Sequence, residues 1–125
     1  MNSPRQVPTA RELEILTILW DIGPATVRQV WEVMKGRDDL AQNTVQTFLR
    51  LMEGKGLVTH RSGGRGFLYA PRYSQQRSLS HFLKRVFGGS ADQLVKSLLS
   101  AKRLSPAELN AIEELIQQEK TKRGI

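Results

Sequence analysis

Cysteine is absent from the 125 residues of this chain. Its absence excludes a disulfide framework, a thiol nucleophile and a thiolate metal site. Histidine is also scarce, with His60 and His81 as the only examples. Neither lies within a pattern of Asp, Glu or Cys that would hold a metal ion. We therefore interpret both as packing or surface residues, and we predict no metal site and no cofactor.

Long apolar runs are absent as well. Residues 1–8 contain two prolines and polar side chains instead of the apolar segment of a signal peptide, and we interpret them as a flexible arm. No apolar run approaches the length that a membrane-spanning helix needs. We therefore expect a cytoplasmic protein without membrane insertion.

Patterns typical of catalysis are missing too. We find no Ser-His-Asp set, no metal-ligand spacing and no pair of carboxylates in a plausible cleft, so we do not expect an enzyme. The glycine-rich residues 63–66 lie between two predicted strands and lack the lysine of a nucleotide-binding loop. We interpret them as the tip of a hairpin.

The charge balance indicates a polyanionic partner. Lys and Arg outnumber Asp and Glu by 19 to 12, a net charge of +7. A small basic protein favours nucleic acid or an anionic membrane surface. The apolar fraction of 39% permits a packed core, and the length is typical of one domain or of a small domain with an appendage.

Two capping boxes begin the first two predicted helices. Thr9 with Glu12 begins a helix that we expect to end near Ile22, before Gly23-Pro24. A short strand at residues 25–26 follows. Thr26 with Gln29 then begins a second helix, which runs to about residue 35.

The third predicted helix, residues 42–55, has an unusual outer face. Its apolar residues recur at the spacing that stacks them on one side of a helix, namely Val45, Phe48, Leu49 and Met52. The opposite side carries uncharged hydrogen-bonding side chains and one arginine. Asn and Gln match the edge of adenine, and Thr can contact the methyl group of thymine. We therefore predict that this helix contacts DNA bases through Asn43, Thr44, Gln46 and Thr47.

A predicted hairpin follows this helix, with strands at residues 57–61 and 67–69 and a turn at residues 62–66. Three helices and then a hairpin are the order of a winged helix-turn-helix, which we place at residues 9–72. Its polar and basic side chains would position the protein on the DNA backbone. We assign phosphate contacts to Thr26, Arg28, Arg50, Lys55, Arg61 and Arg65.

Residues 73–125 show helical periodicity and no strand signal. Their apolar stripes need a partner, which is either the first domain or a second copy of the chain about a two-fold axis. We favour a homodimer, because two recognition helices on an inverted repeat multiply specificity. The predicted dimerisation residues are Leu79, Phe82, Leu83, Val86, Leu94, Val95, Leu98, Leu99, Leu109, Ile112 and Ile116. The predicted fold class is thus mostly α with a small β-hairpin wing, a winged-helix DNA-binding domain followed by a C-terminal helical dimerisation region.

Several segments in this order resemble the penicillinase-repressor family of the BlaI/MecI type. They are residues 9–16 with Leu19-Trp20, residues 43–47 and 49–51, residues 55–58 and 66–69, and in the tail Phe82, Val86, Gly88-Gly89, Leu94-Val95 and Leu104-Ser105. The resemblance implies a homodimeric repressor that binds inverted-repeat operators in double-stranded DNA. It also implies control of β-lactamase or related resistance genes and of neighbouring sensor genes.

The resemblance further implies release from DNA by proteolysis. In that family a membrane sensor protease triggers cleavage within the C-terminal region, which corresponds to Ser97-Leu98 here, where the well-known members have Asn-Phe. A copper-responsive branch uses cysteines and is excluded for this chain. Close relatives have serine where this chain has Ala41, so its third helix lacks that N-cap oxygen.

Two alternatives remain open at this point. One is a winged-helix regulator that responds to a small molecule bound in a cavity between the tail and the wing domain. The other is a winged helix that binds protein instead of DNA. The outward residues of the third helix, which are neither acidic nor apolar, favour DNA.

Overall fold

The computed structural model describes residues 7–64 and 66–125, so most of the predicted arm and Arg65 lie outside the described residues. Three helices come first, followed by a hairpin of two strands and three further helices. This order confirms the fold class that the sequence predicts. The elements are α1 (Ala10–Ile22), α2 (Val27–Met34), α3 (Gln42–Gly54), β1 (Val58–Gly63), β2 (Gly66–Pro71), α4 (Gln75–Phe87), α5 (Ala91–Ala101) and α6 (Pro106–Arg123).

The helices begin where the sequence places their caps. The Thr9 hydroxyl accepts from the Glu12 amide, and the Glu12 carboxylate accepts from the Thr9 amide. Thr26 and Gln29 form the second capping box in the same way. The start of α3 has no side-chain cap, because the side chain of Ala41 carries no oxygen. Gly56, with φ at +79°, follows the end of α3.

The chain divides into two compact units, one that ends at Leu79 and one that comprises Ser80–Ile125. The core of the first unit is formed by the apolar faces of α1, α2 and α3 together with the hairpin. Trp20 and Trp31 pack at its edge, and their indole N–H groups donate to the Tyr73 and Leu40 carbonyl oxygens. Fully buried side chains at its centre include Ile15, Leu16, Val30, Val45, Leu49 and Met52.

The hairpin is longer than the sequence predicts. Ser62 pairs with Phe67 and Gly63 with Gly66, so the strands continue into the segment predicted as a turn. Gly64, at φ +57°, permits this tight connection, because a residue without Cβ adopts positive φ without strain. The predicted strand at residues 25–26 is a single bridge, in which the Ala25 and Tyr69 backbones exchange hydrogen bonds.

The second unit is helical, as predicted. Ser90 caps α5, and Ser105 with Glu108 forms a capping box on α6, whose first residue is Pro106. Gly88 and Gly89 both have positive φ and end α4. No residue of α4, α5 or α6 is buried, although each of the three helices carries several large apolar side chains.

Candidate nucleic-acid interface

Helix α3 divides cleanly into an inner and an outer face. Val45, Leu49 and Met52 are buried in the core. Of the four side chains predicted to contact bases, three are exposed and Thr44 is half-buried. The Thr47 hydroxyl donates to the Asn43 carbonyl oxygen at 3.0 Å, which turns the threonine methyl group outward. The structure thus brings together, on one surface, Asn43, Thr44, Gln46, Thr47 and Arg50.

The first turn of α2 adds a second group of polar atoms. The Thr26 hydroxyl accepts from the Gln29 amide at 3.1 Å, and the Gln29 side chain accepts from the Thr26 amide at 2.8 Å. The remaining amides of a helical first turn have no partner within the helix, so they favour an anion. Arg28 lies beside them with its side chain 76% exposed, and its Nε is 3.8 Å from Glu32 Oε1.

A groove of about 480 Å³ lies between the start of α2, the first half of α3 and strand β2. It brings together three predicted DNA contacts, Thr26, Arg28 and Gln46. No acidic residue is among those that line it. Four lining residues were not among the predicted contacts because nothing in their local pattern marks them, namely Val27, Gln42, Phe67 and Tyr69. Gly66 completes the lining.

The predicted phosphate contacts of the wing are placed differently. Arg61 is exposed on β1 and pairs with Leu68. Because successive side chains of a strand lie on opposite faces, Arg61 lies on the other face of the hairpin from His60 and Tyr69. It does not line the groove. Arg65 lies outside the described residues.

Lys55 makes a contact that the sequence does not reveal. Its Nζ lies 2.7 Å from Oε2 of Glu12, a side chain that is only 4% exposed. Burial raises the pKa of Glu12, but the hydrogen bonds and charge of Lys55 and the Thr9 amide outweigh it, so the net pKa lies below its usual value. The ammonium group of Lys55 is therefore engaged in a pair that joins the start of α1 to the end of α3.

A second contact concerns His60, which the sequence indicates has no acidic partner. Its Nδ1 lies 2.7 Å from the carboxylate oxygens of Glu53, near the end of α3. The imidazole ring also packs on Phe67, with centroids 4.3 Å apart, and on Tyr69 at 5.6 Å. Besides the packing role predicted for His60, the structure therefore shows a carboxylate partner seven residues earlier in the chain.

The predicted dimerisation residues are mostly exposed. Leu83, Leu94 and Ile112 are half-buried, whereas the other eight are exposed. Leu79 belongs to the first unit and the remaining residues to the second. In the predicted cleavage pair on α5, Ser97 is half-buried and Leu98 is exposed.

None of the helices in residues 7–64 and 66–125 is both long and apolar enough to cross a membrane. Within these same ranges, no group of three His, Cys, Asp or Glu side chains is arranged to hold a metal ion.

Comparison with known proteins agrees with this geometry. The family model of the penicillinase repressor matches residues 8–118. The penicillinase repressor of Bacillus licheniformis is 26% identical, over 90% of this chain and 91% of that protein. The transcriptional regulator BlaI of Mycobacterium tuberculosis is 33% identical, over 70% of this chain and 79% of that protein.

Solved structures are similar as well. One is the monomeric form of Bacillus licheniformis BlaI in complex with the blaP half-operator, with a TM-score of 0.50 and 25% identity over 62% of this chain and 93% of that one. A MarR family protein from Bacillus stearothermophilus has a TM-score of 0.52 and 18% identity, over 99% of this chain and 79% of that one, which shows the fold alone. The chain has a winged helix with an outward polar recognition surface, and the family model matches most of its length. It therefore belongs to the penicillinase-repressor family of DNA-binding transcriptional regulators.

Proposed function

We propose that this chain is a homodimeric transcriptional repressor that binds inverted-repeat operators, with one recognition helix in each half-site. The observation that carries the proposal is the outer face of α3, which is polar, almost free of charge and continuous with the groove at the start of α2. Such a face matches the donors and acceptors of base edges in the major groove. The similar BlaI structure was determined with the blaP half-operator, which supports the same use of this surface.

Base contacts are proposed for Asn43, Thr44, Gln46 and Thr47. The amides of Asn43 and Gln46 can pair with the N6 and N7 positions of adenine. The exposed methyl group of Thr47 suits the methyl group of thymine, because its hydroxyl already donates to the α3 backbone.

Phosphate contacts are proposed for Thr26, Arg28, Arg50, Arg61 and Arg65. Arg28 and the first turn of α2 line the groove, and Arg50 is exposed on α3. Lys55 is proposed as a further phosphate contact, and its ammonium group is also paired with the buried Glu12. Contacts of this kind position the protein without reading sequence.

The second unit is proposed to form the dimer. Its helices bury no residue within the chain, and their exposed leucine, valine and phenylalanine side chains lie at helical spacing. A second copy would remove these side chains from water, a gain of about 25 cal/mol for each square ångström buried. The genes that we propose it controls are β-lactamase or related resistance genes and neighbouring sensor genes.

Release from DNA is proposed to follow cleavage at Ser97-Leu98 by a membrane sensor protease, or another signal that separates the subunits. The bond lies in the interior of α5, so a protease can hydrolyse it only after this helix opens locally. Mass spectrometry of the chain from induced cells tests this step, and an intact chain under full induction would contradict cleavage.

Selection of bound DNA from random duplexes tests the main proposal. The full-length chain should enrich an inverted repeat whose half-sites are about one helical turn apart. Gln46→Ala should relax discrimination at one position of each half-site by about 1–3 kcal/mol. Arg61→Ala should weaken selected and random duplexes alike and reduce the salt dependence of binding.

Gln117→Ala, an exposed glutamine on α6, serves as the matched control and should leave the selected sequence unchanged. Failure to enrich any common sequence would contradict the proposal. A selected site with unaltered discrimination in Gln46→Ala would show that α3 does not read bases through this residue.

A further inference from the structure

Phe67 has no role in the functions assigned so far, yet it occupies a wall of the groove between α2, α3 and β2. Its side chain is 50% exposed, whereas Tyr69, two residues further along the same strand face, is 3% exposed. Exposing the apolar surface of a phenylalanine to water is energetically unfavourable. Its surface is available to whatever enters the groove.

The ring of Phe67 packs against a neighbouring aromatic ring. His60 packs against it with ring centroids 4.3 Å apart, and His60 is in turn fixed by Glu53 at 2.7 Å. The aromatic ring therefore forms a stable apolar surface at the side of the groove. Arg28 and the first turn of α2, which favour an anion, line the same groove.

These two features together suit one strand of a DNA backbone. Each nucleotide of that strand presents a phosphate anion next to a deoxyribose, whose C–H groups are apolar. A site for phosphate alone would need no aromatic side chain, and a site for an apolar ligand would not need an arginine in its lining. No acidic residue is among the lining residues to oppose a phosphate.

We propose that Phe67 is a DNA-binding residue whose ring packs on the deoxyribose of a backbone strand seated in this groove, while Arg28 and the start of α2 bind the adjacent phosphate. This inference rests on the proposed function and adds an apolar contact to it.

The test measures binding of the full-length chain and its Phe67→Ala variant to a selected duplex and to a random-sequence duplex. We expect Phe67→Ala to weaken binding to both duplexes by about tenfold, because DNA would bury the exposed half of the Phe67 side chain and the variant loses that apolar surface. The dependence of affinity on salt should stay unchanged, because no counterion is released by an apolar contact. Arg28→Ala should instead reduce the slope of the logarithm of affinity against the logarithm of salt concentration by about one.

Hydroxyl-radical footprinting reads the contact directly, since the radical abstracts hydrogen atoms from deoxyribose. The wild-type chain should protect one or two sugars of each half-site that Phe67→Ala leaves exposed. Ile22→Ala, which removes an apolar side chain of similar exposure away from the groove, should give the wild-type footprint and affinity. Phe67→Leu, which keeps an apolar side chain, should retain part of the protection.

The possible failures are distinguishable. Wild-type protein that binds no duplex would overturn the proposed function, and this inference with it. If the wild-type chain binds but Phe67→Ala has the footprint and affinity of Ile22→Ala, only the inference is wrong. An effect of Phe67→Ala that disappears when deoxyuridine replaces thymidine would mean that the ring contacts a base methyl group, which overturns the deoxyribose contact. We expect Phe67→Leu to unfold at the wild-type temperature and to lose less affinity than Phe67→Ala. This result would support a DNA contact of the side chain over a role in folding.

Discussion

At the scale of single residues, Glu12 and Lys55 form a pair between a buried carboxylate and a partly exposed ammonium group. The Glu12 carboxylate is almost fully buried, and it accepts from both the Thr9 amide and the Lys55 ammonium group. A buried charge is tolerated only when its partners are present. The pair therefore connects the start of α1 to the end of the helix that we propose reads DNA.

Removing one member of this pair should destabilise the protein more than removing both. We expect Lys55→Met to lower the free energy of unfolding by about 1–3 kcal/mol at neutral pH, because Glu12 remains buried with one partner fewer. This range allows for the exposure of Lys55. The double variant Glu12→Gln with Lys55→Met should recover part of the loss, since no buried charge is left. Urea unfolding of the wild-type chain, the single variants Glu12→Gln and Lys55→Met, and the double variant measures the coupling.

The same pair predicts a pH dependence. The pKa of Glu12 is lower in the folded chain than in the unfolded one, so its contribution to stability is complete above the unfolded pKa of about 4.3 and is lost as pH falls through the folded value. Glu12→Gln cannot titrate and should lose less stability over that acidic range. Equal acid sensitivity of the variant and the wild-type chain would show that Glu12 does not contribute.

At the scale of elements, the start of α3 differs from the other helices. Hydroxyl groups accept from first-turn amides at Thr9, Thr26, Ser74, Ser90 and Ser105, but Ala41 offers no such oxygen. The backbone of Ala41 already has the extended conformation of an N-cap, with φ at −75° and ψ at 150°. Only the side-chain acceptor is missing.

Ala41→Thr should therefore stabilise the chain by about 1 kcal/mol, since its hydroxyl can accept from an amide of the first turn of α3. The midpoint of thermal unfolding should rise by about 3–5 °C at fixed protein concentration. Ala41→Val has the same shape without the hydroxyl and should give no such gain. A similar rise in both variants would attribute the effect to packing instead of capping.

The elements were predictable from the sequence where their signals are local. Thr9, Thr26 and Ser105 mark helix starts because each cap bonds to a residue three positions later. The outer face of α3 followed from helical periodicity alone. The contact of Glu53 with His60 and the place of Phe67 in the groove did not follow, because they depend on how a helix packs against a hairpin. No periodicity encodes that packing.

At the scale of the whole molecule, the two units differ in how they use their apolar residues. The first buries its apolar side chains within the chain, whereas α4, α5 and α6 bury none. A stable interface between two copies typically covers about 800 Å² on each partner. The apolar stripes of three helices can supply such a surface. Dimer formation would then place two α3 helices on one duplex, so DNA affinity should depend on the second unit.

Charges placed on these stripes should separate the subunits without altering the recognition surface. We expect the double variant Leu98→Lys with Ile116→Lys to be monomeric, because dimer formation would bury an unpaired ammonium group at two exposed apolar positions. Its affinity for an inverted repeat should fall to that of a single half-site, while half-site affinity stays near the wild-type value. Sedimentation equilibrium measures the mass, and titration of duplexes with one or two half-sites measures the affinities.

Leu13→Lys, on an exposed position of α1, controls for the added charge and should remain dimeric. A wild-type chain that is itself monomeric while bound tightly to both half-sites would show that DNA, and not the second unit, brings the two copies together.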